Sequence, residues 1–254
     1  MVNVSNDEII PVVLITGGNS GIGESCAFRF ASEGYKVAIC GRRELECQKV
    51  VDDLRARGAI ANYFIADLAE GKQIEALFFW LEATFHRLDC LINNAAVEGE
   101  SFTKTADYSE SVFDHVMAIN VKAPWLCMKL AINIMKKHAG GAILNVSSLA
   151  GLRSSVTGGC AYTASKHALI GLTKIASKEY ALDNIRINAV CPAFVHTLLA
   201  IEVLGDDINE FAQMHPMGRL CKSQEVANAI YWLCSAEASF ITGIALPIDG
   251  GLMA

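Results

Sequence analysis

Charge is scarce in this chain and nowhere gathered. Only 19% of the 254 residues are charged, and 21 Lys+Arg against 27 Asp+Glu leave a formal net charge of −6. That balance gives no basic face for nucleic acid or an anionic membrane, so neither is expected as a partner. The nine cysteines stand singly, without a Cys-x-x-Cys pair or Cys/His ligand spacing. This excludes a zinc motif or a disulfide frame and fits reduced thiols. No apolar run reaches bilayer-spanning length. The opening Met1-Val2-Asn3-Val4-Ser5-Asn6-Asp7-Glu8 is polar and acidic, unlike a secretory signal or an Arg-rich transit peptide. A cytoplasmic location is the expectation. Proline is rare, and no linker, repeat or low-complexity stretch divides the chain, so one domain over 1–254 is expected.

What is present is apolar sequence, 52% by residue, cut into alternating short and long pieces. Strand-like runs fall at 12–16, 37–41, 63–66, 90–93, 142–147, 185–190 and 244–248. Helical patterns lie between them. In the clearest, 72–86, Ile74, Leu77, Phe78, Leu81 and Phe85 mark one face. Such alternation predicts an α/β fold: a doubly wound, Rossmann-like parallel sheet of seven strands. One long stretch, about 194–217, has no clear period and contains Leu198, Leu199, Ile201, Leu204, Phe211 and Met214. It reads as a lid over a site or as a short helix pair.

Thr16-Gly17-Gly18-Asn19-Ser20-Gly21-Ile22-Gly23 follows the first strand and opens a helix. Glycines there allow a tight turn and close approach of a pyrophosphate to the helix N-terminus. The spacing, Thr-Gly-x-x-x-Gly-x-Gly, resembles that of the short-chain dehydrogenase/reductase family, and the resemblance extends over essentially the whole chain. The second strand ends in Cys40-Gly41-Arg42-Arg43. An NAD site would carry a carboxylate at this point for the ribose 2′-OH, whereas guanidinium groups pair with a 2′-phosphate. NADP(H) is therefore favoured over NAD(H); the other reading of Arg42 and Arg43 is a solvated pair starting a helix. By resemblance, Asp67 and Leu68 meet the adenine, and Asn94, Ala95 and Ala96 follow the fourth strand beside the cofactor. Pro192, Val195 and Thr197 belong to the nicotinamide end. Ala96 and Ala193 stand where the family usually has glycine. Asp67 reads equally well as a helix N-cap.

Tyr162-Thr163-Ala164-Ser165-Lys166 places Tyr162 and Lys166 on one helix face. An ammonium beside a phenol is expected to lower its pKa from about 10, preparing Tyr162 as an acid/base. The strand at 142–147 runs into Ser147-Ser148; resemblance assigns Ser148 to the substrate oxygen and leaves Ser147 structural. Resemblance makes Asn120 the fourth catalytic position. Pro124, four residues on, has no N–H for the Asn120 carbonyl, which leaves that carbonyl free for a water linking to Lys166. Substitution of Asn120 by Leu is then expected to slow turnover while sparing cofactor binding. Glu98, Leu149, Arg153, Val156, Cys160, Leu198 and Leu199 are substrate-lining candidates, and His196 reads as a lid residue. No metal is expected. The resemblance implies NADPH-dependent reduction of a ketone to a secondary alcohol, or the reverse, by a homotetramer acting on a small molecule. The alternatives are a 3-oxoacyl-thioester (acyl-carrier-protein) reductase and a non-catalytic NADP-binding protein.

Overall fold

Apolar, β-branched segments open the chain's layers. A computed structural model describes residues 10–155, 157 and 159–254, so the polar opening segment 1–8 lies outside the described residues. The strands are Val12–Thr16 (β1), Lys36–Gly41 (β2), Ala61–Ile65 (β3), Cys90–Asn93 (β4), Gly141–Val146 (β5), Ile185–Pro192 (β6), Val195–His196 (β7), Cys221–Lys222 (β8) and Ala245–Ile248 (β9). The helices are Gly21–Ser32 (α1), Glu44–Ala56 (α2), Gly71–Phe85 (α3), Glu110–Met117 (α4), Ala123–Met135 (α5), Cys160–Glu179 (α6), Leu198–Leu204 (α7), Ile208–Gln213 (α8) and Ser223–Cys234 (α9). Seven strands form one sheet in the order β3-β2-β1-β4-β5-β6-β9, and every neighbouring pair is parallel. Each expected strand is there, shifted at its ends by a residue or two. The short β7–β8 pair stands apart and was not foreseen from sequence.

Alternation along β1 shows why the sequence consumes so much apolar residue. Val12 and Leu14 pack on one face with Ile74, Leu77 and Leu81 of α3 and Cys127 and Ala131 of α5. Val13 and Ile15 pack on the other with Ala27 and Phe30 of α1, Val51 and Leu54 of α2 and Ile230 of α9. Both faces are covered, as a parallel sheet requires. Truncating Leu14 to Ala there would cost about 2–5 kcal/mol. In α3, Ile74, Leu77, Phe78, Leu81 and Phe85 are all buried, as their spacing predicted.

Strand order reverses between β1 and β4, and a crevice opens there at the C-terminal ends of the strands. Close to it, the polypeptide from 110 to 135 is one helical rod interrupted at Ala118–Lys122 by a π-turn, in which the Ala123 N–H bonds the Ala118 carbonyl. Pro124 lies just beyond, where its missing N–H removes one α-type rung. Residues 198–213 fold into α7 and α8, so this stretch is a short helix pair.

Candidate active site

Residues of β2, β5, β6, α6 and α7 and of the loops after β1 and β4 converge on one cleft of about 860 Å³. Its first wall is the turn after β1. Gly17 (φ 64°) and Gly21 (φ 57°) hold left-handed backbone, where a side chain would be strained. A Cβ on Gly23 would lie 2.1 Å from the Gly17 carbonyl oxygen. Gly23 thus serves helix-to-turn packing and, unlike the expectation for it, does not line the cleft. Ser20 N-caps α1 without a side-chain hydrogen bond, so no side chain covers the first N–H groups of that helix. Asn94 ties this turn to β4, donating to the Thr16 and Gly17 carbonyls at 3.0 and 3.1 Å. Thr16 Oγ1 in turn accepts from the Asn94 and Ala95 N–H groups at 3.0 and 3.1 Å.

At the second wall, Gly41 is tight: a Cβ there would meet the Asn19 side chain at 2.8 Å and Cys47 Sγ at 2.9 Å. Arg43 donates to Ser20 Oγ at 3.3 Å, pairs with Glu46 at 3.5 Å and, with the Asn19 amide oxygen turned toward it, reaches Asn19 at 3.2 and 3.3 Å. Arg42 is exposed at the rim. Asp67 and Leu68 also line the cleft, and Asp67 accepts from the Ala69 N–H at 3.0 Å. Its carboxylate caps a turn ahead of α3, whose N-cap is Glu70. A bare helix N-terminus, a glycine turn without room for side chains and two guanidinium groups at the rim fit a dinucleotide with its phosphates on α1.

The third wall is built from buried polar groups. Ser148 follows β5 and lines the cleft close to Tyr162 of α6, and Ser148 Oγ accepts from the Ala150 N–H at 3.1 Å. Lys166, 2% exposed, donates from Nζ to the Val146 carbonyl at 3.0 Å, with its nitrogen 5.4 Å from the centre of the Tyr162 ring. Burial pulls the Lys166 ammonium down to about 8, against an opposing effect of Glu98. Ser147 Oγ donates to the Lys166 carbonyl at 3.0 Å and fixes α6 on the end of β5, a structural role as expected. The phenol of Tyr162 departs from expectation. Its pKa is raised, first by burial and then by the negative charge of Glu98, while the Ser148 hydrogen bond partly offsets both. Lys166 is not among the groups that offset them, and its Nζ donates to the Val146 carbonyl.

Asn120 sits in the π-turn, 1% exposed, and does not line the cleft. Its side chain clamps the loop after β4: Oδ1 accepts from the Val97 N–H at 2.9 Å, and Nδ2 donates to the Val97 carbonyl at 2.8 Å and to Ser165 Oγ at 3.1 Å. Ser165 passes its own proton to the Tyr162 carbonyl at 2.7 Å. The side chain is thus a structural clamp, which the reading through the backbone carbonyl missed. Leu at this position would strand three hydrogen-bonding groups, a cost to the fold that comes in addition to the slowed turnover expected of it. Deeper still, Asn93 donates to Asn145 at 2.9 Å and Asn145 to Thr173 at 2.8 Å, joining β4, β5 and α6.

The clamped loop carries Glu98, half-buried in the cleft with its carboxyl raised to about 7 by burial, an effect Lys166 counteracts. Leu149, Arg153 and Leu198 line the same space, as do Ala95, Ala96, Pro192, Val195 and Thr197. Cys160 does not; it heads α6 outside the cleft, a correction to its candidacy. His196 is exposed and also off the cleft. Val156 and the side chain of Leu199 lie outside the described residues. Leu204, named with the 194–217 stretch, also lines the cleft, and sequence reasoning missed Val203 of α7 and Leu252 near the C-terminus. Among the described residues no cluster of His, Cys, Asp and Glu could hold a metal, and no helix is long and apolar enough to cross a membrane.

Residues 17–253 match the family model adh_short_C2, described as "Enoyl-(Acyl carrier protein) reductase". An uncharacterized oxidoreductase of Thermotoga maritima is 40% identical over 246 residues, covering 94% of this chain and 96% of its own length. Cyclohexanol dehydrogenase of Acinetobacter sp. is 37% identical over 241 residues, covering 94% of this chain and 93% of its own. The crystal structure of levodione reductase superposes with a TM-score of 0.90 at 31% identity, covering 95% of this chain and 96% of that one. With the parallel sheet, the glycine turn and the serine, tyrosine and lysine at one cleft, these matches settle the kinship: the chain belongs to the short-chain dehydrogenase/reductase family and is a nicotinamide-dependent oxidoreductase of CH–OH and C=O groups.

Proposed function

We propose that the chain reduces a moderately hydrophobic ketone to a secondary alcohol with NADPH, or runs the reverse oxidation, with Tyr162 as acid/base. The observation that carries this reading is the placement of Ser148 and Tyr162 together on the cleft wall, with the buried Lys166 amine beside them. Ser148 binds the substrate oxygen and orients it, and Tyr162 gives that oxygen a proton in reduction. A phenol whose pKa lies above its ordinary value keeps its proton at neutral pH, the state a proton donor requires. Bound NADPH would supply the hydride. Lys166, bonded to the Val146 carbonyl, ties α6 to the end of β5 and so holds Tyr162 on the cleft wall. Asn120 fixes the loop that faces them, and its backbone carbonyl, four residues before Pro124, remains available for a proton-carrying water.

For the cofactor, Gly17, Asn19, Ser20, Gly21 and Ile22 receive the pyrophosphate, with Gly23 supporting the turn beneath them. Arg42 and Arg43 take the 2′-phosphate, and the absence of a carboxylate at Gly41 removes the repulsion an NAD site would impose. Asp67 and Leu68 flank the adenine; Asn94, Ala95, Ala96, Pro192, Val195 and Thr197 border the remainder. The 194–217 segment serves as the lid, with Leu198, Val203 and Leu204 closing on the substrate. A cytoplasmic homotetramer is the form inferred. Trp125 of α5 and Ile175 of α6 expose 46% and 52% of their surface, apolar area that further copies would cover. Light scattering on the purified protein tests the tetramer.

The deciding experiment is a panel of cyclic and open-chain ketones, with acetoacetyl thioester included, assayed with NADPH and NADH in parallel. Reduction of free ketones with NADPH preferred at least tenfold is expected. Equal use of NADH overturns the arginine argument, and activity on the thioester alone would turn the reading into an acyl-thioester reductase.

A further inference from the structure

Catalysis leaves one group in the cleft unused. Glu98 follows Val97, whose N–H and C=O are both held by Asn120, so its main chain is fixed rather than free to swing away. Its side chain is half-buried and shares the cleft with Ser148, Tyr162, Lys166 and Arg153. Neither carboxyl oxygen makes a hydrogen bond or ion pair with the described residues, although two basic side chains line the same space. A half-buried carboxyl that faces the cleft and has no protein partner is free to accept from a ligand bound there. The contrast with its neighbours is sharp, since Asn120, Ser147, Ser165 and Lys166 all have protein partners.

We propose that Glu98 is a specificity-determining residue whose carboxyl group accepts a hydrogen bond from a hydroxyl carried elsewhere on the substrate, so that the favoured substrates are hydroxyketones and their diol products rather than plain ketones. This rests on the reductase reading of the same cleft. Ser148 and Tyr162 take the oxygen at the reacting carbon, and Glu98 takes the second oxygen. A neutral donor suits the site better than an ammonium group, which would share the cleft with the Lys166 amine and the Arg153 guanidinium. Burial also holds the carboxyl near neutrality at working pH, which weakens its pull on a full positive charge but not its capacity to accept from a hydroxyl.

The test compares kcat/KM for cyclohexanone, 2-hydroxycyclohexanone, 4-hydroxycyclohexanone and 4-aminocyclohexanone in the wild type, Glu98→Leu and Glu98→Gln. NADPH fluorescence titration reports that each variant has folded. The wild type is expected to prefer the better hydroxyketone over cyclohexanone by about tenfold or more, mainly through KM. Glu98→Leu should bring that ratio to within about threefold of unity. Glu98→Gln, which keeps an acceptor oxygen, should lie between. A wild-type ratio near one, an equal loss on every ketone in Glu98→Leu, or preference for the aminoketone overturns the proposal while leaving the reductase reading intact. A wild type that reduces no ketone with either cofactor defeats both.

Discussion

The two sides of the cleft are built on opposite principles. On the β5–α6 side, Asn145, Ser147, Ser165, Lys166 and Thr173 are buried at 0–4% exposure, and each makes hydrogen bonds across elements or along its helix. On the α7–α8 side, Leu198, Ile201, Met214 and Met217 show 68%, 43%, 42% and 66% of their surface, and few side chains are tied to the body. A network of satisfied buried polar groups fixes one geometry, because any shift strands a donor or acceptor. Exposed apolar groups on short helices fix nothing until a ligand covers them. The comparison teaches a division of labour: reaction geometry is set on the first side, and substrate shape is read on the second.

The largest expected effect falls on the rigid side. Tyr162→Phe should lower kcat by about 10²–10⁴ with KM and NADPH binding little changed, as loss of a general acid does. A variant that kept its activity would defeat the mechanism. Next, Asn120→Leu should destabilise the fold by about 2–4 kcal/mol, because the Val97 N–H and C=O and Ser165 lose their shared partner. Thermal unfolding measures it, and an unmoved midpoint would show that the clamp carries little.

Glu98 stands on the clamped loop after β4, and its carboxyl makes no hydrogen bond with the described residues. Its carboxyl, at about 7 in the fold against an ordinary 4.5, binds its proton more tightly when folded. The stability it contributes is therefore present below pH 4.5 and lost as pH rises through about 7. Glu98→Gln should flatten the pH dependence of the unfolding midpoint across that window, by on the order of 2 kcal/mol between its ends. The same substitution removes a negative charge that raises Tyr162, so the basic group seen in alcohol oxidation should move to lower pH. Movement to higher pH would contradict the assigned neighbourhood. The smallest effect is expected on the lid: Leu198→Ala should change KM by roughly threefold with kcat nearly constant, since a side chain so exposed has little packing to lose. A large fall in kcat would erase the distinction between the two sides.

Most of the sheet was legible because both faces are covered, which writes parallel strands as continuous apolar runs such as Val12-Val13-Leu14-Ile15. The association of Ser148, Tyr162 and Lys166 was legible because two of them are a helical turn apart and the third ends a strand. What could not be read were pairings between distant segments. The Asn93–Asn145–Thr173 chain spans 52 and then 28 residues. Nothing local announced that Asn120 would reach Val97, or that Glu98 would lie half-buried in the cleft while Cys160 stayed off its lining. The phenol's raised pKa was equally hidden, because it comes from burial and from Glu98, a residue 64 positions away along the chain.

The π-turn at Ala118–Lys122 deserves to be seen as a change of phase. One additional residue in a helical turn rotates everything beyond it by about 100° relative to an unbroken α-helix. The rod therefore leans α4 on α6, beside the cleft, and yet offers α5 to α3 and the sheet. Deleting a single residue between 118 and 122 would restore the α-helical phase, save for the rung that Pro124 cannot make, and force a choice between those two neighbours. Either Asn120 would swing off Val97, or the apolar stripe of α5 would turn away from the core. The length of that turn is consequently as much a part of this protein's design as the identity of any side chain in it.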